Sequence, residues 1–479
     1  MKKTGLFKII MFILLGMVVA TWIFSASYFS EGNLAELGMY NIGIFDFFSL
    51  IFGSFEFAYF LQIFFLLISI GALYGVLGKT GKYRAWVEKI ANGFKGVELI
   101  FLLIVTFVIA VLTSVFDYSY LLLIFFPLLI SIILAMGYDK VTALVATIGA
   151  MLVGTIGSTM GNSTSAMIAG LLNIGTTSGF YYKLALLIFG LVPLVLFLSK
   201  AKKSKTDIKK NEEDDLFIGE KTANKYSIVS LLVVFGVIFV LLIVACTAWS
   251  DSFKIDMFSN LHTKVTEFSP KLPYIHITSE KIETGTEKVA IFGKIFGTVS
   301  AFGEWRFAEM SIVCLVAAIV LGLLYRVKGI FLAMAEGAKK MLKPAFFVML
   351  TYVVVYFAGN EMFFPTIAKH ILSISNKSSV ILSTIVMALG SALHVDVLYA
   401  ANYVVPQLAA VEGANPTLLA VLAQSVYGVT MFIVPTSSLL VFGLSYLNVP
   451  YKEWVKKTWK LIVALLVVVL AVLLIAKFI

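Results

Sequence analysis

Apolar runs long enough to span a bilayer recur along the whole chain, at 6–24, 100–112, 121–136, 184–198, 228–248 and 461–476 among others. A hydrocarbon core of about 30 Å takes about 20 helical residues, and the pattern predicts about ten to twelve such spans. In lipid every backbone N–H and C=O must be satisfied internally, which leaves helices and closed barrels. These runs are continuously apolar rather than alternating, so they read as helices. The composition agrees: 60% of residues are hydrophobic and 13% charged, at a mean hydropathy of +0.99, which is not a soluble globular composition. The expected fold class is an all-α polytopic membrane protein.

Charge sets the organisation. Lys2, Lys3 and Lys8 place the amino terminus in the cytoplasm, because lysine and arginine near span ends are retained on the inner face. The first apolar run is too long for a signal-peptide core and is expected to stay as a first helix. The stretch 199–225, "SKAKKSKTDIKKNEEDDLFIGEKTANK", is the one long charged run and reads as a solvated cytoplasmic linker. It divides the chain into a first membrane half, 1–199, and a second, 226–479, with the linker proper at 200–225. Residues 250–304 carry mixed charge without basic excess and are expected to form a polar loop outside. The net charge of +10 comes largely from lysines flanking spans, so nucleic acid is not an expected partner; the lipid bilayer is. The two cysteines, Cys246 and Cys314, each fall in an expected span, which leaves no disulfide framework and no cysteine-based metal site.

Two polar interruptions occupy corresponding places in the halves. In "GTIGSTMGNSTSAMIAG" (154–170) the tract 157–165 begins after the apolar run 141–156, which at about 1.5 Å per residue stops short of a full crossing. The run 166–174 that follows is shorter still, and a full span then ends the half. In the second half the span 417–434 is interrupted by "PTSS" (435–438). The run 439–447 is again too short to cross, and a full closing span follows. Pro435 has no amide to donate and breaks its helix. Paired Gly/Pro-interrupted segments are the sequence pointer to a carrier's binding site, where half-helix ends and freed backbone groups meet substrate and ion. The candidate binding residues are Gly157, Ser158, Thr159, Asn162, Ser163 and Thr164 in the first tract, with Pro435, Thr436, Ser437 and Ser438 in the second. Gly157 and Gly161 also spell GxxxG, so close helix packing is the competing explanation of the glycines.

Ionisable groups inside spans are costly and functional by default. His394 and Asp396 lie within an apolar stretch and are candidates for proton coupling or for countering a cationic substrate. Asp117 in "TSVFDYSY", and Asn360 with Glu361 in "FAGNEMFFP", are further candidates that also suit turns between spans. No basic residue stands out in the membrane beside either tract, which favours a cationic or zwitterionic substrate over a dicarboxylate. An intramembrane zinc protease would need HExxH, which is absent. A channel would gather identical filters around an axis. A secondary transporter fits better than either.

Several stretches resemble a known family. "FFLLISIGALYGVLGKTGKYRAWVEKIANGFKGVE" (64–98), "AMGYDKVTALVATIGAMLVGTIGST" (135–159), "WRFAEM" (305–310), "FLAMAEGAKKMLKPA" (331–345) and "FIVPTSSLLVFGLSYLNVPYKEWVKKTW" (432–459) are similar to YfcC-like and DcuC-type carriers of the ion transporter superfamily. The resemblance implies two inverted-topology halves with broken helices and re-entrant hairpins, and a site between them. It implies secondary transport of amino acids or small organic carboxylates across the cell membrane, by exchange or coupled to Na⁺ or H⁺. Basic amino acid exchange is slightly favoured, with Na⁺-coupled dicarboxylate or peptide-like carboxylate symport as the alternative. No other cofactor is implied, and a homodimer is common among such carriers. Gly157, Ser158 and Thr159 match the first family tract, and Pro435, Thr436 and Ser437 the second. The chain departs from the pattern at Gly161–Asn162, where the family continues Asn-Pro. It departs again at "SALHVDVLYA" (391–400), where a Ser/Gly-rich turn is usual, and at Tyr427 and Met431, in place of acidic and Asn positions.

Overall fold

The computed structural model describes residues 5–30, 33–39, 42–160, 163–203, 215–218, 227–277, 281–289, 291–292, 299–375 and 377–478. Among these, ten helical segments are long and apolar enough to cross a membrane. In chain order the helices are α1 (Leu6–Ile23), α2 (Asp46–Glu56), α3 (Ala58–Lys79), α4 (Tyr83–Gly93), α5 (Glu98–Phe116), α6 (Ser119–Leu122) and α7 (Phe126–Ala135). Then come α8 (Lys140–Gly157), α9 (Ser163–Leu171), α10 (Phe180–Ser199), α11 (Val229–Cys246), α12 (Trp249–Phe253), α13 (Met257–Thr266) and α14 (Phe307–Leu324). The last are α15 (Ile330–Glu361), α16 (Phe364–Leu372), α17 (Val380–Leu393), α18 (Val397–Ala409), α19 (Pro416–Ile433), α20 (Ser438–Tyr446) and α21 (Tyr451–Phe478). Two short antiparallel hairpins, β1–β2 (Ala26–Ser30 with Asn33–Gly38) and β3–β4 (Lys271–Ile277 with Ile282–Lys288), complete the described elements.

Local chemistry starts and stops these helices where the spans require it. Asp139 caps α8 by accepting the Thr142 amide at 2.9 Å, and Asn415 caps α19 by accepting the Leu418 amide at 3.1 Å, ahead of Pro416 in the first turn. A π-helical turn over Val145–Gly149 interrupts α8. The long helices α3 and α15 cross in direct backbone contact. A Cβ added at Gly75 would lie 2.3 Å from the Ala333 carbonyl oxygen, and one at Gly337 2.1 Å from that of Gly71. This is the close crossing that small residues four apart allow. The first-half pair singled out on sequence behaves differently: Gly157 faces the Leu187 side chain, and Gly161 lies outside the described residues.

The described residues of 250–304 hold most of α12, all of α13 and the β3–β4 hairpin, and just ahead of them the Trp249 indole donates to the Val244 carbonyl at 2.7 Å. The linker departs from a wholly solvated run at 215–218, where Phe217 is 2% exposed.

Candidate functional site

Three helix breaks converge on one cavity. The first separates α8 from α9, the second α17 from α18, and the third α19 from α20. The cavity, about 320 Å³, takes Thr164 from the first break, Asp396 from the second, and Ser437 and Ser438 from the third. Its lining reaches the surface at the exposed Arg306, beside Phe253 and Trp305, which marks its mouth.

Asp396 is buried in the cavity wall, 5% exposed. It caps α18, accepting the Leu398 amide at 2.9 Å on one oxygen and the Tyr59 hydroxyl at 2.9 Å on the other. Tyr427 holds the same break open by donating to the Val395 carbonyl at 2.8 Å. A hydroxyl chain runs on from there: Tyr120 and Tyr352 share a 2.5 Å hydrogen bond, and Tyr120 meets the Ser438 hydroxyl at 3.0 Å. The rings of Tyr59 and Tyr120 pack edge-on against Phe307, at 5.4 and 5.1 Å between centroids. Among the described residues no lysine, arginine or histidine pairs with Asp396.

Asp117 ends α5 in the left-handed conformation, with φ of 58°, and accepts the Thr164 hydroxyl at 2.6 Å. It is both a turn residue between helices and a wall of the cavity. Ser437 is 1% exposed, and its hydroxyl lacks a partner among the described residues. It sits where α20 begins, so unpaired amides of the first turn lie beside it.

The other expected residues take supporting places. Ser158 turns the chain with φ of 34° and meets the Ser165 hydroxyl at 3.3 Å. The Thr159 hydroxyl pairs with that of Ser114 at 3.0 Å. Pro435 forms the turn after α19, and Thr436 donates to the Ala392 carbonyl at 3.1 Å, which ties the third break to the second. Ser163 opens α9, and Asn162 lies outside the described residues. His394 does not pair with Asp396: its Nδ1 meets the Gly390 carbonyl at 3.1 Å, and its ring stacks on Tyr403 at 4.6 Å. A carbonyl only accepts, so the proton is on Nδ1. Asn360 and Glu361 end α15 and do not line the cavity.

Sequence reasoning passes over three features. The tyrosines around Asp396 carry no local signature apart from Tyr120, which stands three residues after Asp117. Arg306 is unmarked within "WRFAEM" (305–310), yet lines the mouth. Lys183 looks like a flank of the span 184–198, but it is 2% exposed within α10.

The family model described as DcuC, C4-dicarboxylate anaerobic carrier, matches residues 4–478. The solved YdaH transporter of Alcanivorax borkumensis is similar over 98% of this chain and 98% of its own, at 12% identity and a TM-score of 0.42. No curated protein matches in sequence.

Proposed function

The chain belongs to the DcuC family of C4-dicarboxylate anaerobic carriers, and from that premise we propose that it exchanges amino acids bearing a side-chain cation, with Asp117 and Asp396 as the counter-charges. The observation that carries this reading is the charge of the cavity. Two carboxylates line it, and Arg306, exposed at the mouth, is the one lysine or arginine among its described lining residues. A dianionic dicarboxylate would leave three uncompensated negative charges there, whereas arginine or ornithine leaves none. Like charges in a desolvated site repel strongly.

The walls support the same substrate. A guanidinium or ammonium group is attracted to aromatic faces within about 6 Å, and Tyr59, Tyr120 and Phe307 supply such faces beside Asp396. The substrate carboxylate fits the start of α20, where first-turn amides and the Ser437 hydroxyl are donors and the helix end is positive. A buried carboxylate without a cationic partner is expensive. Exchange of one cation for another, or for a proton on Asp396, keeps that charge paired through the cycle. In this reading the cavity faces outside, the linker and amino terminus face the cytoplasm, and the broken helices form the moving gate.

A C4-dicarboxylate, which the family description names, is the competing reading, and it requires protons or coupled Na⁺ to offset the two aspartates when the site is filled. Melting curves of the purified protein separate the two. A ligand at 100 times its Kd stabilises the folded form by about 2.7 kcal/mol, so L-arginine and L-ornithine are expected to raise the melting temperature while succinate and fumarate leave it unchanged. A rise with succinate alone would overturn the proposal.

A further inference from the structure

Four residues of the charged linker are bound at the far end of the bundle from the cavity mouth. Asp215 accepts the Ser131 hydroxyl of α7 at 2.6 Å and turns back to accept the amides of Phe217 at 2.9 Å and Ile218 at 3.1 Å. The Phe217 ring enters between Tyr74 of α3, at 5.6 Å, and Tyr446 of α20, at 6.3 Å. Lys340 of α15 donates to the Leu216 carbonyl at 2.6 Å and places its ammonium 5.5 Å from the Phe217 ring centre. The Phe217 carbonyl lies so close to Gly78 that a Cβ there would be 2.7 Å from it. Burial pushes the Asp215 carboxyl above its ordinary range, as expected of a group held in a closed pocket rather than in solvent.

The elements that this segment joins are the ones that reach the cavity. Helix α3 carries Tyr59 at the cavity and Tyr74 at the anchor, and α20 carries Ser438 at the cavity and Tyr446 at the anchor. Fifteen and eight residues of helix put the anchor about 22 and about 12 Å below the site at 1.5 Å per residue. Helix α15 brings Tyr352 to the hydroxyl chain and Lys340 to the anchor, while α6 and α7 bring Tyr120 and Ser131. A carrier must open its site to each face in turn, and a path from Asp396 to the linker face has to pass among these helices.

We propose that residues 215–218 are a latch: they dock as a peptide into the groove between α3, α7, α15 and α20, hold the linker face closed while the cavity opens on the other, and leave the groove when the linker face opens. Its premise is the carrier family alone, so it stands whichever substrate the cavity takes. A ligand or segment bound to one of two conformations shifts the population toward that conformation, so weakening the latch favours the state open to the linker face.

The test reads access rather than transport. Cys246 and Cys314 are replaced by Ala, Ser438→Cys is introduced at the cavity wall, and a membrane-impermeant maleimide is applied from each face of oriented proteoliposomes. Phe217→Ala empties the aromatic slot, and Gly78→Ala drives the segment off without changing it. Each is expected to speed labelling from the linker face about tenfold and to slow it from the other, while Lys202→Ala keeps the parent rates. Asp215→Ala, on the linker itself and outside every spanning helix, gives a third reading should either of the others reduce folded yield. Unchanged rates on both faces in Asp215→Ala and Phe217→Ala would overturn the latch.

Discussion

Replacing Asp396 by Asn is expected to lower arginine exchange in proteoliposomes about 100-fold while leaving yield and melting temperature close to those of the parent. Breaking one partner of a buried charge pair costs about 2–5 kcal/mol, and each 1.4 kcal/mol is tenfold. The substitution is chosen because asparagine caps helices as well as aspartate does. The Leu398 amide keeps an acceptor, α18 still starts at Val397, and the Tyr59 hydroxyl stays beside a polar side chain. Only the charge is removed. A loss of transport that tracks a loss of folded protein would make Asp396 a structural cap; near-normal exchange by a stable variant would remove it from the site.

Gly337→Leu is expected to be the most damaging single change to the fold. Its new Cβ would stand 2.1 Å from the Gly71 carbonyl oxygen and 2.5 Å from the Gly75 Cα. Both obstacles are backbone, so no side-chain rotation relieves the clash and the two helices must move apart. Overpacking costs about 1–3 kcal/mol, occasionally more, and two rigid backbones in contact put this case at about 3 kcal/mol. Because α3 carries Tyr59 and α15 carries Tyr352, the separation also disturbs the hydroxyl groups around Asp396. Gly236→Ala in α11, with nothing within 4 Å of its new Cβ, is the matched control and should fold normally. Size-exclusion profiles and melting temperatures in mild detergent check both variants.

How much of this is legible in the sequence differs by feature. The spans are legible because hydropathy averaged over a bilayer thickness leaves little else for such segments to do. The break at Pro435 is legible because proline removes an amide and clashes with the preceding turn. The break after Gly157 shows in a run of small polar residues ahead of α9, which at nine residues is too short to cross, although α8 before it, with Lys140 included, is long enough to span. The break between Leu393 and Val397 is marked by His394 and Asp396, but not the way it separates them, with the imidazole stacked on Tyr403 and the carboxylate in the cavity. The tyrosines are a different matter. Among 20 tyrosines, nothing local separates Tyr59 from those at the membrane interface; it acquires a role only when α3 meets the start of α18. The anchor at 215–218 is hidden for the opposite reason. Its single aromatic residue is outvoted by the lysines and acids around it, so composition reads the whole run as solvated. Lys183 is misplaced by its neighbour, since a lysine just ahead of an apolar run looks like the usual flank.

In the proposed reading the acidic, aromatic cavity selects a substrate with a cationic side chain. The most direct measurement is counterflow in proteoliposomes preloaded with unlabelled ornithine, with labelled arginine outside, with and without Na⁺, beside a parallel set preloaded and labelled with succinate. Arginine is expected to accumulate, driven by internal ornithine and independent of Na⁺, with no counterflow of succinate. Succinate counterflow without arginine exchange would contradict that reading.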